Sequence, residues 1–124
     1  MLLEECYEAF GGNIESVRGR IPKDALICKF LIKFLSDPSY DTLCEALKEE
    51  DYEKAFRAAH TLKGVCDNLA LSRLGESASV LTECLRGKAN EQVNVELCST
   101  LASQVTEDYR TTVDAITELQ NTME

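Results

Sequence analysis

The chain has 124 residues, 44% hydrophobic and 28% charged, which suits one globular core and excludes a disordered tract. With 22 acidic side chains against 13 basic ones, the formal net charge of −9 opposes a nucleic-acid backbone and an anionic lipid surface alike. No apolar run approaches the roughly 20 residues of a membrane span, and the start MLLEECYEAF puts acids where an export signal needs bases.

Residues 2–10 carry an amphipathic helical pattern that ends at Gly11-Gly12, and 13–20 have room for a further turn or two. Pro22 suits a helix start, where its missing N–H has no partner to lose. The stretch DALICKFLIKFLSD is apolar around most of its circumference, and Asp37-Pro38 follows with the chemistry of a cap and first turn. Residues 22–49 therefore form either one bent helix or two in succession. Asp51 caps a helix over about 51–69, whose core stripe is Ala55, Ala59, Leu62, Cys66 and Leu69. A helix over about 71–87 turns Leu71, Leu74, Ala78, Leu81 and Leu85 inward and stops at Gly87. The last helix, about 91–121, would be on the order of 45 Å long, with Leu97, Leu101, Val105, Tyr109, Val113 and Ile116 on its stripe. Short connections favour antiparallel neighbours. The expected fold is all-α: an up-down antiparallel four-helix bundle with a short N-terminal helical extension, residues 1–124 forming one domain.

Cys6, Cys28, Cys44, Cys66, Cys84 and Cys98 include no C-x-x-C pair and match no zinc spacing. With no export signal, a reducing cytoplasm and free thiols on helix faces are expected. One histidine and scattered acids offer no metal cluster, and no P-loop or glycine-rich nucleotide loop is present.

The only histidine, His60, lies in the run HTLKG. It is one residue from Ala59, about 100° around the helix from the core stripe, so it sits at the stripe's edge or beyond. Phe56, Lys63, Gly64 and Asp67 share its side of the helix. A neutral imidazole nitrogen is a nucleophile. Once phosphorylated it carries about two negative charges, which a lysine one turn away offsets as a flexible point cation. A glycine mid-helix costs about 1 kcal/mol against alanine. At Gly64 it leaves room for phosphoryl oxygens and for a partner's loop. A solvated surface histidine beside an ordinary helix lysine is the plainer account of the same residues, and the spacing alone names no reaction.

The run AHTLKGVCDNLALSRLGESASVLTECLR, residues 59–86, resembles the histidine-containing phosphotransfer (HPt) family, whose signature is A-H-x-L-K-G on a bundle helix. Ala59, His60, Leu62, Lys63 and Gly64 carry the signature, with Asn68 further along, and FLIKFLSDPSYDTLCEALKEEDYEKAFRAAH upstream is similar to the family's approach to its histidine. The resemblance covers 26–86 well and the last helix only by pattern. It implies a phosphorelay carrier: His60 accepts a phosphoryl group from a receiver-domain aspartate and passes it to another receiver, in two-component signalling. Lys63 and Gly64 would assist, and Phe56 and Asp67 would help dock the partner. The implied partners are response-regulator receiver domains or a hybrid sensor histidine kinase, with Mg²⁺ supplied by the receiver and no cofactor held by this chain. No ATP-dependent autophosphorylation is expected, a carrier that must leave one partner for another is expected to be a monomer, and Met1 points to a standalone chain. The competing function class is a non-phosphorylated helical adaptor. One departure stands out: the family often has glycine where this chain has Ala70, so a left-handed turn there would cost about 1 kcal/mol, unless the turn closes differently or the helix ends elsewhere.

Overall fold

A computed structural model of the chain describes residues 1–123. Its helices are α1 (Leu3–Phe10), α2 (Ile14–Arg20), α3 (Asp24–Phe34), α4 (Ser39–Lys48), α5 (Tyr52–Leu69), α6 (Ser72–Leu85) and α7 (Val95–Met123), with a 3-10 turn at Asn90–Gln92. No strand occurs among the described residues, and no helix among them is long and apolar enough to cross a membrane. Helices α4, α5, α6 and α7 pack as consecutive neighbours in a bundle, and α1 lies against α7. Helices α2 and α3 complete the N-terminal extension.

Residues 22–49 are two helices, not one bent one. Pro38 has no N–H to give the carbonyl of Phe34, which takes the Asp37 N–H instead at 3.0 Å. The Asp37 carboxylate then accepts from Ser39 N–H at 2.9 Å and starts α4. Pro22 precedes α3 rather than opening its first turn. Ile21 and Lys23 on either side of it are extended, as a residue before proline tends to be, and the helix begins at Asp24.

The inward stripes expected for α5 and α6 are all buried. Asp51 caps α5 by accepting from Lys54 N–H at 3.1 Å, and Gly87 adopts the left-handed φ of 65° just past α6. The stripe expected for α7 holds at Val105 and Ile116, which are buried, and at Leu101 and Tyr109, which pack partly buried against the core, and it is corrected at Leu97. Leu97 is 46% exposed, whereas Cys98, Val105, Asp108, Thr112, Ala115, Ile116 and Leu119 face the core. Two polar residues sit on that line because each is satisfied within its own helix. Thr112 Oγ1 donates to the Asp108 carbonyl at 2.7 Å, and the Asp108 carboxylate accepts from Gln104 at 3.1 Å. The helix starts at Val95 rather than near 91, because the 3-10 turn takes the preceding residues and the Asn94 side chain accepts from Leu97 N–H at 3.0 Å.

Ala70 does adopt the left-handed conformation, with φ 54° and ψ 40°. The turn closes by hydrogen bonds from Leu71 N–H to the Cys66 carbonyl (2.9 Å) and from Ala70 N–H to the Asp67 carbonyl (3.3 Å). The N-terminal extension grips this turn. Asn13 N–H donates to the Ala70 carbonyl at 3.0 Å, Arg73 N–H to the Gly11 carbonyl at 3.2 Å, and the buried Tyr7 hydroxyl to the Leu69 carbonyl at 2.7 Å. A Cβ at Gly12 would lie 2.7 Å from that Ala70 carbonyl, so glycine permits the approach. Arg18 joins the three short helices, pairing with Glu4 of α1 (2.6 Å) and Asp24 of α3 (2.8 Å).

Candidate functional site

Helix α5 turns one face to the core and leaves the other open. Ala55, Ala59, Leu62, Cys66 and Leu69 are buried, while His60 is exposed. The Phe56 ring is half-buried against the core and stacks with the His60 ring at a centroid distance of 6.0 Å, their planes 4° apart. Phe56 thus fixes where the imidazole rests by an apolar contact that leaves its nitrogens free of any protein hydrogen bond among the described residues.

One turn along, Lys63 Nζ lies 3.6 Å from Asp67 Oδ2. Both side chains are substantially exposed, so the pair is screened and exchangeable. A Cβ placed on Gly64 would meet nothing within 4 Å. Close packing within the chain therefore does not account for this glycine. Its outer side is free space beside His60.

Helix α6 adds two residues to this face. At Gly75 a Cβ would come within 3.2 Å of Cys66 Cβ and 3.5 Å of Asp67 Oδ1, so a glycine lets α6 approach α5. Further along α6, Glu83 and Arg86 form a forked pair: Arg86 Nε lies 3.0 Å from Glu83 Oε2 and Nη2 lies 3.0 Å from Oε1. The Arg86 guanidinium carbon sits 5.2 Å from the centroid of the Phe56 ring, within cation–π range. The hydrogen bonds from Arg86 hold the Glu83 carboxyl below its ordinary range, and the charges of Arg86 and Lys63 and the nearness of His60 lower it further. The Glu83 carboxylate therefore belongs to the electrostatic surroundings of His60.

The five residues singled out in the sequence, Phe56, His60, Lys63, Gly64 and Asp67, lie together on the outer side of α5. Glu83 and Arg86 were missed. Their nearness depends on how α6 crosses α5, which spacing within a single helix does not encode. The one sequence signal was that Leu85 points inward, which turns residues one step on and two steps back away from the core.

A family model of the Hpt domain matches residues 36–122. The chain belongs to the Hpt domain family. No curated protein and no solved structure matches it. The Hpt match takes in α4 through α7, so it holds the last helix as well as the His60 helix and starts later than residue 26, after α3. Hpt domains are helical bundles that carry histidine phosphotransfer in phosphorelays, where they interact with receiver domains and kinases.

Proposed function

We propose that this protein is a phosphorelay intermediate in which His60 accepts a phosphoryl group from the aspartyl phosphate of a receiver domain and passes it to another receiver. The observation that carries this reading is an exposed imidazole, stacked on Phe56 and flanked by Lys63 and the uncrowded Gly64, on a helix inside the Hpt match. In the accepting step a neutral ring nitrogen forms the N–P bond as the P–O bond to the aspartate breaks, and its electron pair leaves with the carboxylate. The other ring nitrogen carries the proton. Passing the group on reverses these bonds against a second receiver.

Such a step needs in-line positioning and charge compensation more than covalent machinery. Phe56 sets the ring plane, Lys63 offers a cation, and the gap at Gly64 admits the incoming phosphate. The receiver would bring an acidic pocket and its Mg²⁺. Phe56 and Asp67, on the rim, are the proposed docking contacts. The phosphate comes from a protein donor, since the sequence holds no nucleotide loop, and a cytoplasmic monomer suits a carrier that changes partners.

The test mixes the chain with a phosphorylated receiver domain and Mg²⁺ and measures acid-labile, base-stable phosphate on the chain. The unaltered protein should become labelled and His60→Gln should not, with its circular dichroism unchanged because an exposed side chain packs little. Label retained on His60→Gln would place the acceptor elsewhere and end this reading.

A further inference from the structure

The cations around the His60 face, Lys63, Arg86 and, one turn before the histidine, Arg57, already have carboxylate partners, Arg57 pairing with Glu53 at 3.1 Å. Lys63 faces Asp67 at 3.6 Å and is loosely held. Arg86 is held differently, by three contacts of 3.0–3.2 Å from a forked guanidinium to both oxygens of Glu83. It rests at the same time on Phe56, the ring that stacks with His60. In the free protein, therefore, a forked guanidinium beside this face is held by an internal anion and by the Phe56 ring.

We propose that Glu83 is a competing carboxylate that holds Arg86 off His60, and that a phosphoryl group on His60 draws Arg86 out of this pair onto its own oxygens. The inference rests on the phosphorelay reading and adds a regulator to that same site. An arginine fork matches a phosphoryl group as well as it matches a carboxylate. A group with about two negative charges outbids one with a single charge, so the exchange runs towards phosphate once His60 is loaded. The pair sits at the C-terminal end of α6, where Arg86 leaves the helix with an extended ψ of 124°. Its side chain can swing without disturbing a helical turn. Glu83 thereby keeps the phosphorylated form from being over-stabilised, a useful property in a carrier that has to give the group away. Asp67 plays a weaker version of the same part for Lys63.

Phosphoramidate, a chemical donor to histidine, tests this without a receiver, and His60 is the only histidine it can label. The half-life of phosphohistidine is followed by phosphorus NMR in the unaltered protein, Glu83→Gln, Arg86→Gln and the double variant, with melting temperatures as a check on the fold. Exposed charges at this range have modest effects, so Glu83→Gln should lengthen the half-life about two- to five-fold and Arg86→Gln should shorten it by a similar factor. The gain from Glu83→Gln should largely vanish when Arg86 is also replaced, and all differences should shrink at about 0.5 M salt. A half-life unchanged or shortened in Glu83→Gln overturns the proposal. So does a gain that survives intact without Arg86, because Glu83 would then act by direct repulsion. These results leave the receiver experiment with His60→Gln to stand or fall by itself.

Discussion

Helices α5 and α6 each carry a glycine in their interior, and the surroundings of the two are opposite. Gly75 is buried in the contact between the helices, where a Cβ would press on Cys66 at 3.2 Å and touch Asp67 at 3.5 Å. Gly64 faces nothing within 4 Å. Both weaken their helix by about 1 kcal/mol relative to alanine. At Gly75 the return is visible inside the fold, as closer helix packing. At Gly64 no described residue uses the space, and the phosphorelay reading proposed above assigns it to an incoming receiver. One mutation type thus tests whether Gly64, unlike Gly75, serves a partner.

Leucine at each position should give the widest split. Gly64→Leu should melt slightly higher than the unaltered protein, by up to about 0.8 kcal/mol of helix propensity. It should transfer phosphate on the order of 10²-fold more slowly, because its side chain lies over the preceding turn where His60 sits. Gly75→Leu should lose about 1–3 kcal/mol or more by overpacking, which thermal denaturation will read. Equal transfer rates for leucine and glycine at residue 64 would remove the functional half of the comparison.

Alkaline pH should attack the buried side and spare the open one. Burial pushes the Cys6 thiol up to about 12 from an ordinary 9.0, and burial likewise raises Cys66, which sits opposite Gly75. Above pH 9 the unfolded chain releases these protons and the folded chain keeps them. Stability is therefore whole below pH 9 and declines as pH rises towards 12, by about 1.4 kcal/mol per pH unit for each thiol. Denaturant titrations between pH 8 and 11 should show a shallower decline in Cys66→Ala and no change of slope in His60→Gln. The smallest contrast is with alanine. Gly64→Ala should gain about 1 kcal/mol, while Gly75→Ala should stay near zero as the tight contact with Cys66 cancels the helical gain. Identical gains at both sites would mean that α6 can shift to admit a methyl group.

What was legible in the sequence followed local rules. Asp51, Gly87 and the stripes of α5 and α6 obey helix periodicity and capping, and so does the placement of His60 outside the stripe. The face of α7 was legible at Val105 and Ile116 and missed at Leu97, and the buried Asp108 and Thr112 did not enter the expected stripe because apolar periodicity counts only apolar residues. In the fold, Thr112 and Asp108 meet their hydrogen-bonding needs within α7 and are buried, while Leu97 is exposed. Ala70 shows the reverse case. Its unfavourable conformation was anticipated as a cost and is adopted anyway, held by the Gly11–Asn13 backbone that reaches it from the far end of the sequence. Arg86 and Glu83 belong to the same class: their meaning depends on a neighbouring helix.

The grip of the N-terminal extension on the turn after α5 has a consequence for synthesis. Tyr7 hydrogen-bonds the Leu69 carbonyl across a sequence separation of 62. At about 5–20 residues per second, Tyr7 waits roughly 3–12 s on the ribosome before its acceptor is made. The helix that α1 packs against, α7, is made later still. Throughout that interval Leu3, Cys6, Tyr7 and Phe10 lack the α5 and α7 partners that they have in the fold. Helix α1 is thus among the last elements of the bundle to find its partners, and the nascent protein is most prone to chaperone capture or aggregation along that apolar stretch.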